Sequence, residues 1–225
     1  MCLEGDAMSE STSRTRLILV RHGATAWTES GRYQGSTADV PLSATGWSQA
    51  RCLAAALEPL CVASVVCSPL CRAVETATGI AASHGLTATP ERAFREISFG
   101  DWEGLTGSEA RARDPEQYQG WMESPVTARP PGGETLQEVA ERTIPALKAV
   151  IVRHAGEKVV LVTHSLVIRV LLCHALGAGL ATVAHLQCRP GSITVIDVQR
   201  DRYVVRLLND TCHLQKDYLC RVVQV

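Results

Sequence analysis

The stretch "LILVRHGATAW", residues 17–27, places four apolar residues directly before Arg21, His22 and Gly23. An apolar run of this kind is typical of a strand buried on both faces of a parallel sheet. Burying an arginine beside a histidine costs free energy unless another group pairs with them. The stretch therefore predicts a core strand whose end presents two polar side chains to a common ligand.

Strand-like and helix-like segments alternate along the rest of the chain. Apolar runs predict strands at residues 16–21, 62–67, 158–163, 192–198 and 202–208. Apolar periodicity predicts helices at residues 43–58, 69–84, 134–154 and 165–177. This alternation indicates an α/β fold with a mostly parallel sheet, and the last two strands indicate a hairpin at its edge.

The same pattern gives the expected domain organisation. We expect residues 1–14 to form a disordered N-terminal tail and residues 15–225 to form a single domain. Residues 101–133 are the least periodic part of the chain, and we expect them to form a cap segment over one end of the sheet.

Composition narrows the class of protein. The 225 residues are 46% hydrophobic and carry a net charge of −1, which argues against a nucleic-acid partner. No apolar run approaches the roughly 18 residues of a membrane span, and the polar start has no apolar core of a secretory signal. Nine cysteines without a C-x-x-C pair indicate reduced thiols. We therefore expect a cytoplasmic protein with no membrane partner, and its oligomeric state stays open.

Polar residues follow three of the predicted strands. Arg21 and His22 end the first, His164 ends "VVLVTH", and Arg72 lies one helical turn after "VVCSP". Because ligands of open α/β folds bind at the carboxyl edge of the sheet, these side chains are expected to converge there. Two arginine forks with two histidines are typical of a phosphate clamp, and Gly23 would let backbone N–H groups approach the anion.

Residues arranged in this way can also catalyse the transfer of a phosphoryl group. A neutral imidazole can attack phosphorus and form a phosphohistidine, and the leaving oxygen then needs a proton from an acid. Glu96 in "REISFGDWEG" is the best candidate for that acid, and Asp101 and Glu103 compete for the role. This chemistry requires neither a metal nor a cofactor, and its substrate is a small phosphate ester.

Several motifs in order resemble the histidine phosphatase superfamily, in the branch of cofactor-dependent phosphoglycerate mutase and its phosphatase relatives. These motifs are "RHGAT", "SPLCRAVETA", "EISFGDWEG", "PPGGET" and "VTHSLVIR". The resemblance implies a three-layer αβα sandwich with a six-stranded, mostly parallel sheet and metal-independent chemistry.

The resemblance also implies residue roles. His22 is the residue that becomes phosphorylated, Glu96 donates the proton, and Arg21, Arg72 and His164 hold the phosphoryl group. Thr28 stands where the branch usually has Asn, and Ser165 stands where Gly is commoner. Both are expected to contact the substrate.

Four functions remain open at this level. Mutases of this branch carry a longer insertion after the proton donor, with an adjacent basic pair, and this chain has no such pair there, which favours a phosphatase over a 2,3-bisphosphoglycerate-dependent mutase. A metal-dependent hydrolase could use His22, His164 and a carboxylate, although the neighbouring arginines disfavour a cation. A catalytically inactive phospho-ligand binding module is the remaining alternative.

Residues 101–133 bear on the substrate. They contain aromatic and basic residues that either pack the segment against the sheet or line a pocket for a ring-bearing leaving group. These residues are Trp102, Tyr118, Trp121 and Met122, with Arg111, Arg113 and Arg129. Since "FGDWEG" and "PPGGET" also resemble the alpha-ribazole phosphatases of cobalamin biosynthesis, alpha-ribazole 5′-phosphate is a candidate substrate.

Overall fold

In a computed structural model, residues 14–215 of the chain are described. Residues 1–13 of the expected tail lie outside this range. The strands are β1 (Thr15–Arg21), β2 (Ser64–Cys67), β3 (Thr89–Pro90), β4 (Lys158–Thr163), β5 (Ile193–Gln199) and β6 (Arg202–Asp210). The helices are α1 (Ala26–Glu29), α2 (Ala44–Leu57), α3 (Cys71–Ser83), α4 (Gly107–Arg113), α5 (Pro115–Glu123), α6 (Leu136–Arg153) and α7 (Ser165–Leu176).

One six-stranded sheet organises the described part of the chain, in the order β3-β2-β4-β1-β5-β6. The pairs β2–β3, β2–β4 and β1–β4 are parallel. The pairs β1–β5 and β5–β6 are antiparallel, and the second of these is the predicted edge hairpin. The sheet is therefore mixed but mostly parallel, as the sequence indicates.

The predicted strands and long helices are all present with small shifts at their ends, whereas short elements were missed. The two-residue strand β3 is exposed and gives no apolar run. Helices α4 and α5 fall in the segment 101–133, which is therefore less irregular than expected. Helix α4 begins with a capping box at Thr106 and Glu109, and α5 has Pro115 in its first turn. The sequence features that mark these helices are therefore local capping residues, which a search for apolar periodicity does not detect.

Alternate residues of β1 face two hydrophobic clusters. Leu17 and Leu19 pack in a cluster with buried residues of α6 and α7. Ile18 and Val20 pack in a second cluster with buried residues of α2 and α3. Burial of each such side chain contributes roughly 1.5–3 kcal/mol, so packing holds the strand from both faces. Within residues 14–215, no helix is long and apolar enough to span a membrane.

Strand register sets the position of the residues after each strand. Arg21 lies opposite Thr163, and Cys67 lies opposite Val162, so neighbouring strands β1, β4 and β2 end at one level. The His22 N–H donates to the Thr163 carbonyl (3.0 Å), which extends the ladder by one residue beyond β1. The residues directly after these strands therefore share one edge of the sheet.

Candidate active site

A cavity of about 310 Å³ opens at this edge. Five residues predicted from the sequence line it: Arg21, His22, Thr28, Glu96 and Ser165. The fully buried Arg72 and His164 lie close to His22, and the His22 and His164 rings have centroids 5.0 Å apart. The sequence did not identify Arg32, Tyr33, Gln34, Phe99 and Arg169 as further lining residues.

His22 is held in one tautomer. Its Nδ1 lies 2.7 Å from the Gly23 carbonyl oxygen, which can only accept, so Nδ1 carries the proton. Burial, with Arg72 and Arg21 nearby, holds the pKa of His22 well below its ordinary value of 6.5. The ring is therefore neutral near pH 7, and its Nε2 keeps a lone pair.

His164 is fixed by Ser68, which the sequence analysis did not single out. His164 Nε2 lies 2.7 Å from the Ser68 hydroxyl oxygen, and that oxygen accepts the Leu70 N–H at 3.3 Å. If Ser68 donates to Nε2, both groups are satisfied and the proton of the ring resides on Nδ1. That Nδ1 is buried without a hydrogen-bond partner among residues 14–215, so it remains available to a ligand. Burial and the cation of Arg72 lower the pKa of His164 well below 6.5.

Two arginines bring positive charge to the histidines. Arg21 donates to the Cys188 carbonyl, and Arg72 donates to the Gly35 carbonyl at 2.8 Å. The Nε of each is buried without a partner in the described residues. Burial lowers the pKa of both guanidinium groups, but an arginine stays charged in proteins. A phosphoryl group near His22 would supply the missing acceptors.

Glu96 points its carboxylate into the same region. Its Oε1 accepts the Ile97 N–H (3.0 Å), and its Oε2 accepts the Leu166 N–H at the start of α7 (3.3 Å). The competing acids are engaged elsewhere: Asp101 pairs with Arg113, and Glu103 accepts the N–H groups of Thr37, Ala38 and Phe99. Neither Asp101 nor Glu103 lines the cavity, so Glu96 is the acid best placed for proton transfer.

The backbone around Glu96 is secured by a carboxylate that was not assigned a role. Glu134 of "PPGGET" accepts from the Ser98 N–H (2.9 Å), Arg95 (2.7 Å) and Arg142 (3.0 Å). Arg142 in turn donates to the Glu96 carbonyl at 3.1 Å. The position of Glu134 directly after the two glycines of this motif was the signal that could have indicated this anchor.

Gly23, Thr28 and Ser165 are placed differently from one another. Gly23 does not line the cavity: its N–H donates to Thr76, and an added Cβ would meet the Gly46 carbonyl oxygen at 2.6 Å. The Gly23 N–H is therefore engaged by Thr76, and close packing on α2 explains the glycine. Thr28 and Ser165 do line the cavity, but the Thr28 hydroxyl donates to the Thr25 carbonyl (2.9 Å).

A second cavity of about 290 Å³ adjoins the first through Tyr33, Phe99, Leu166 and Arg169. Trp121 and Met122 line it, as expected if residues of the segment 101–133 form a pocket for the leaving group. Trp102 instead is fully buried and donates its indole N–H to Asp114 (2.8 Å), as expected if residues of this segment pack it against the sheet.

The three arginines of the segment 101–133 do not lie at the mouth of either cavity. Arg113 pairs with Asp101, and Arg129 pairs with Glu138 at 2.8 Å. Ion pairs with nearby carboxylates hold Arg113 and Arg129 outside, so the alternative that places these arginines at the mouth of a pocket is wrong.

No group of three or more His, Cys, Asp or Glu side chains is arranged as a metal site in the described range 14–215. The histidine pair lies among arginine cations, and that charge suits an anion.

Comparison with known proteins confirms the resemblance seen in the motifs. Residues 17–211 match the model of the histidine phosphatase superfamily (branch 1). The chain is 36% identical over 204 residues to Phosphoserine phosphatase 1 of Hydrogenobacter thermophilus, covering 91% of this chain and 96% of that protein.

Solved structures agree with this match. Bacillus stearothermophilus YhfR superposes with a TM-score of 0.84 at 32% identity, covering 89% of this chain and 100% of that one. The alpha-ribazole phosphatase from Shigella flexneri superposes with a TM-score of 0.80 at 29% identity, covering 87% and 96%. The chain therefore belongs to the histidine phosphatase superfamily, branch 1.

Proposed function

We propose that this protein is a metal-independent phosphomonoesterase that works through a phosphohistidine on His22, with Glu96 as proton donor. Membership of the superfamily and the names of its relatives support the phosphatase activity. The observation that carries the mechanism is the bond from His22 Nδ1 to the Gly23 carbonyl, because it leaves Nε2 as the nucleophilic atom.

The first step transfers the phosphoryl group to the enzyme. The Nε2 lone pair forms the N–P bond while the P–O bond to the leaving group breaks, and Glu96 gives its proton to the departing oxygen. The ring becomes cationic, and its Nδ1–H bond to Gly23 becomes charge-assisted. Arg21, Arg72 and the Nδ1 of His164 stabilise the charge that develops on the phosphoryl oxygens.

The second step hydrolyses the intermediate. The Glu96 carboxylate takes a proton from water, the water oxygen forms a bond to phosphorus, and the N–P bond breaks. Inorganic phosphate leaves, Glu96 is protonated again, and His22 recovers its lone pair. Water completes this cycle without a second phosphoryl acceptor, so we favour hydrolysis over mutase activity.

The cavities favour a small metabolite as substrate. The first holds a phosphoryl group, and the second offers apolar walls that include Trp121 to the rest of the ester. Alpha-ribazole 5′-phosphate remains a candidate on this ground, and a superposable structure is named for that activity. A relative named phosphoserine phosphatase makes phosphoserine the other candidate.

The organisation of the chain is part of the proposal. We infer that residues 15–225 form one domain, with the segment 101–133 over the site. We also infer that helices on both sheet faces complete an αβα sandwich, and that the protein acts in the cytoplasm.

The test is the intermediate itself. Acid-labile, base-stable phosphate is expected on the peptide containing His22 after rapid quenching with para-nitrophenyl phosphate, and a chelator should leave turnover unchanged. Label on His164 would reverse the assignment, and loss of turnover with chelator would favour the metal-dependent hydrolase. Absence of both label and turnover would favour the inactive binding module, and rapid transfer of phosphate between phosphoglycerates would favour the mutase.

A further inference from the structure

Arg169 lies where the two cavities meet. It is on α7, four residues after Ser165, and it lines both cavities together with Tyr33, Phe99 and Leu166. A substrate whose phosphoryl group sits at His22 and whose remainder enters the apolar cavity must pass this guanidinium group.

The charge of Arg169 has no carboxylate partner among residues 14–215. Its guanidinium donates only weakly, to the carbonyls of Ser165 and Val183, both at 3.3 Å. Apart from Arg21 and Arg72, several arginines around the site do form ion pairs: Arg32 pairs with Glu109, Arg95 and Arg142 with Glu134, and Arg113 with Asp101. A largely buried cation next to an apolar wall is stabilised when an anion binds to it.

The phosphoryl group is not the best partner for this cation. Arg21 and Arg72 are the arginines close enough to His22 to lower its pKa, and they already surround the reacting atoms. Arg169 instead lines both cavities, whereas Arg21 lines only the first and Arg72 lines neither, so Arg169 is the arginine nearest the space left for the rest of the ester. A second anionic group on the leaving side would therefore meet Arg169.

We propose that Arg169 binds a carboxylate on the leaving group and selects phosphomonoesters that carry one. The inference rests on the proposed function and names the substrate class of that site. It favours a phosphorylated hydroxy or amino acid such as phosphoserine over alpha-ribazole 5′-phosphate, which has no carboxylate.

Phosphoserine and phosphoethanolamine test the proposal, because they differ only by the carboxylate. For Arg169→Met, kcat/KM on phosphoserine should fall roughly 10- to 100-fold, the range for a charged hydrogen bond. On phosphoethanolamine it should change less than about threefold. Arg113→Met, which removes an arginine outside both cavities, should leave both values unchanged.

Three results would overturn the proposal. Equal losses on both esters would mean that Arg169 contacts the phosphoryl group or supports the fold. No loss on either would place it outside the substrate contacts. A selective loss in Arg32→Met instead of Arg169→Met would transfer the role to the other arginine of the cavity.

Binding measurements separate this inference from the proposed function. Calorimetry on His22→Ala, which cannot form the intermediate, should show tighter binding of phosphoserine than of phosphoethanolamine, and His22→Ala/Arg169→Met should lose that preference. If the wild type hydrolyses no phosphomonoester, the proposed function fails while this preference still decides the role of Arg169. A His22→Ala protein without the preference overturns the inference even if the wild type is an active phosphatase.

Discussion

Replacing Ser68 by Ala should disable His164 without touching the cavity wall. Ser68 is fully buried, and its hydroxyl is the partner of His164 Nε2 at 2.7 Å. Because Nδ1 already has no protein partner, the variant leaves both ring nitrogens of a buried imidazole unpaired. The ring is then free to tilt away from the phosphoryl position.

The size of the effect follows from the lost bond. Leaving one buried polar atom unsatisfied costs about 1–3 kcal/mol, which corresponds to roughly 5- to 150-fold in rate if the bond is needed in the transition state. The loss should appear in kcat, with little change in KM, because His164 is expected to act on charge that develops during transfer. The free energy of unfolding should fall as well, since the Leu70 N–H also loses its acceptor.

The assay is steady-state turnover of para-nitrophenyl phosphate, with urea unfolding to confirm that the variant is folded. Ser68→Thr keeps a hydroxyl at the same position and should recover part of kcat. A folded Ser68→Ala protein with wild-type kcat would refute the reasoning, because His164 would then need no fixed orientation.

Three further predictions follow from other contacts. Glu96→Gln should lower kcat by about 10²–10⁴ for alkyl phosphates and much less for para-nitrophenyl phosphate, whose leaving group needs no proton; equal losses would mean that another residue is the acid. The pKa of His22 is held well below 6.5 in the folded state, so the unfolded chain takes up its proton first as the pH falls. The free energy of unfolding should therefore have its full value above about pH 6.5 and decrease below that pH by up to about 1.4 kcal/mol per pH unit. Urea unfolding measured at several pH values should show a shallower decrease in His22→Gln. Gly46→Ala would press a Cβ against the Ala24 carbonyl and should destabilise by about 1–3 kcal/mol, whereas Gly79→Ala, whose Cβ would meet only Ala54 at 4.0 Å, should stabilise by up to about 1 kcal/mol in the same unfolding assay.

The sequence predicted the strand ends well because the chemistry and the hydrophobic pattern coincide there. The buried apolar runs before Arg21 and His164 are typical of central strands, and the carboxyl ends of parallel strands lie at the same edge of the sheet. The arrival of His22 and His164 within ring contact is a consequence of that register. The meeting of these two histidines at one sheet edge could thus be predicted from the sequence alone.

Two residues with long-range contacts were missed for different reasons. Ser68 contacts a residue 96 positions away, and Arg142 bonds a carbonyl 46 positions away. Ser68 directly follows β2 at the same sheet edge and was overlooked there. The role of Arg142 depends on how α6 packs on the sheet, and neither periodicity nor a local motif encodes that geometry. Helices α4 and α5 in the segment 101–133 were not predicted, because capping residues and a proline mark where they begin and neither helix has a clear apolar stripe.

The arginines of the segment 101–133 lie outside the cavities for a different reason, which bears on the substrate. An exposed arginine can pair with a nearby carboxylate, as Arg113 does with Asp101 and Arg129 with Glu138. An arginine in such a pair is no longer free to bind an anionic ligand. The arginines left for a ligand are those that are held at the cavities and form no salt bridge within residues 14–215. Arg21 and Arg72 near His22 and Arg169, which lines both cavities, meet this description, and under the proposed function they would give the site separate positions for two anions.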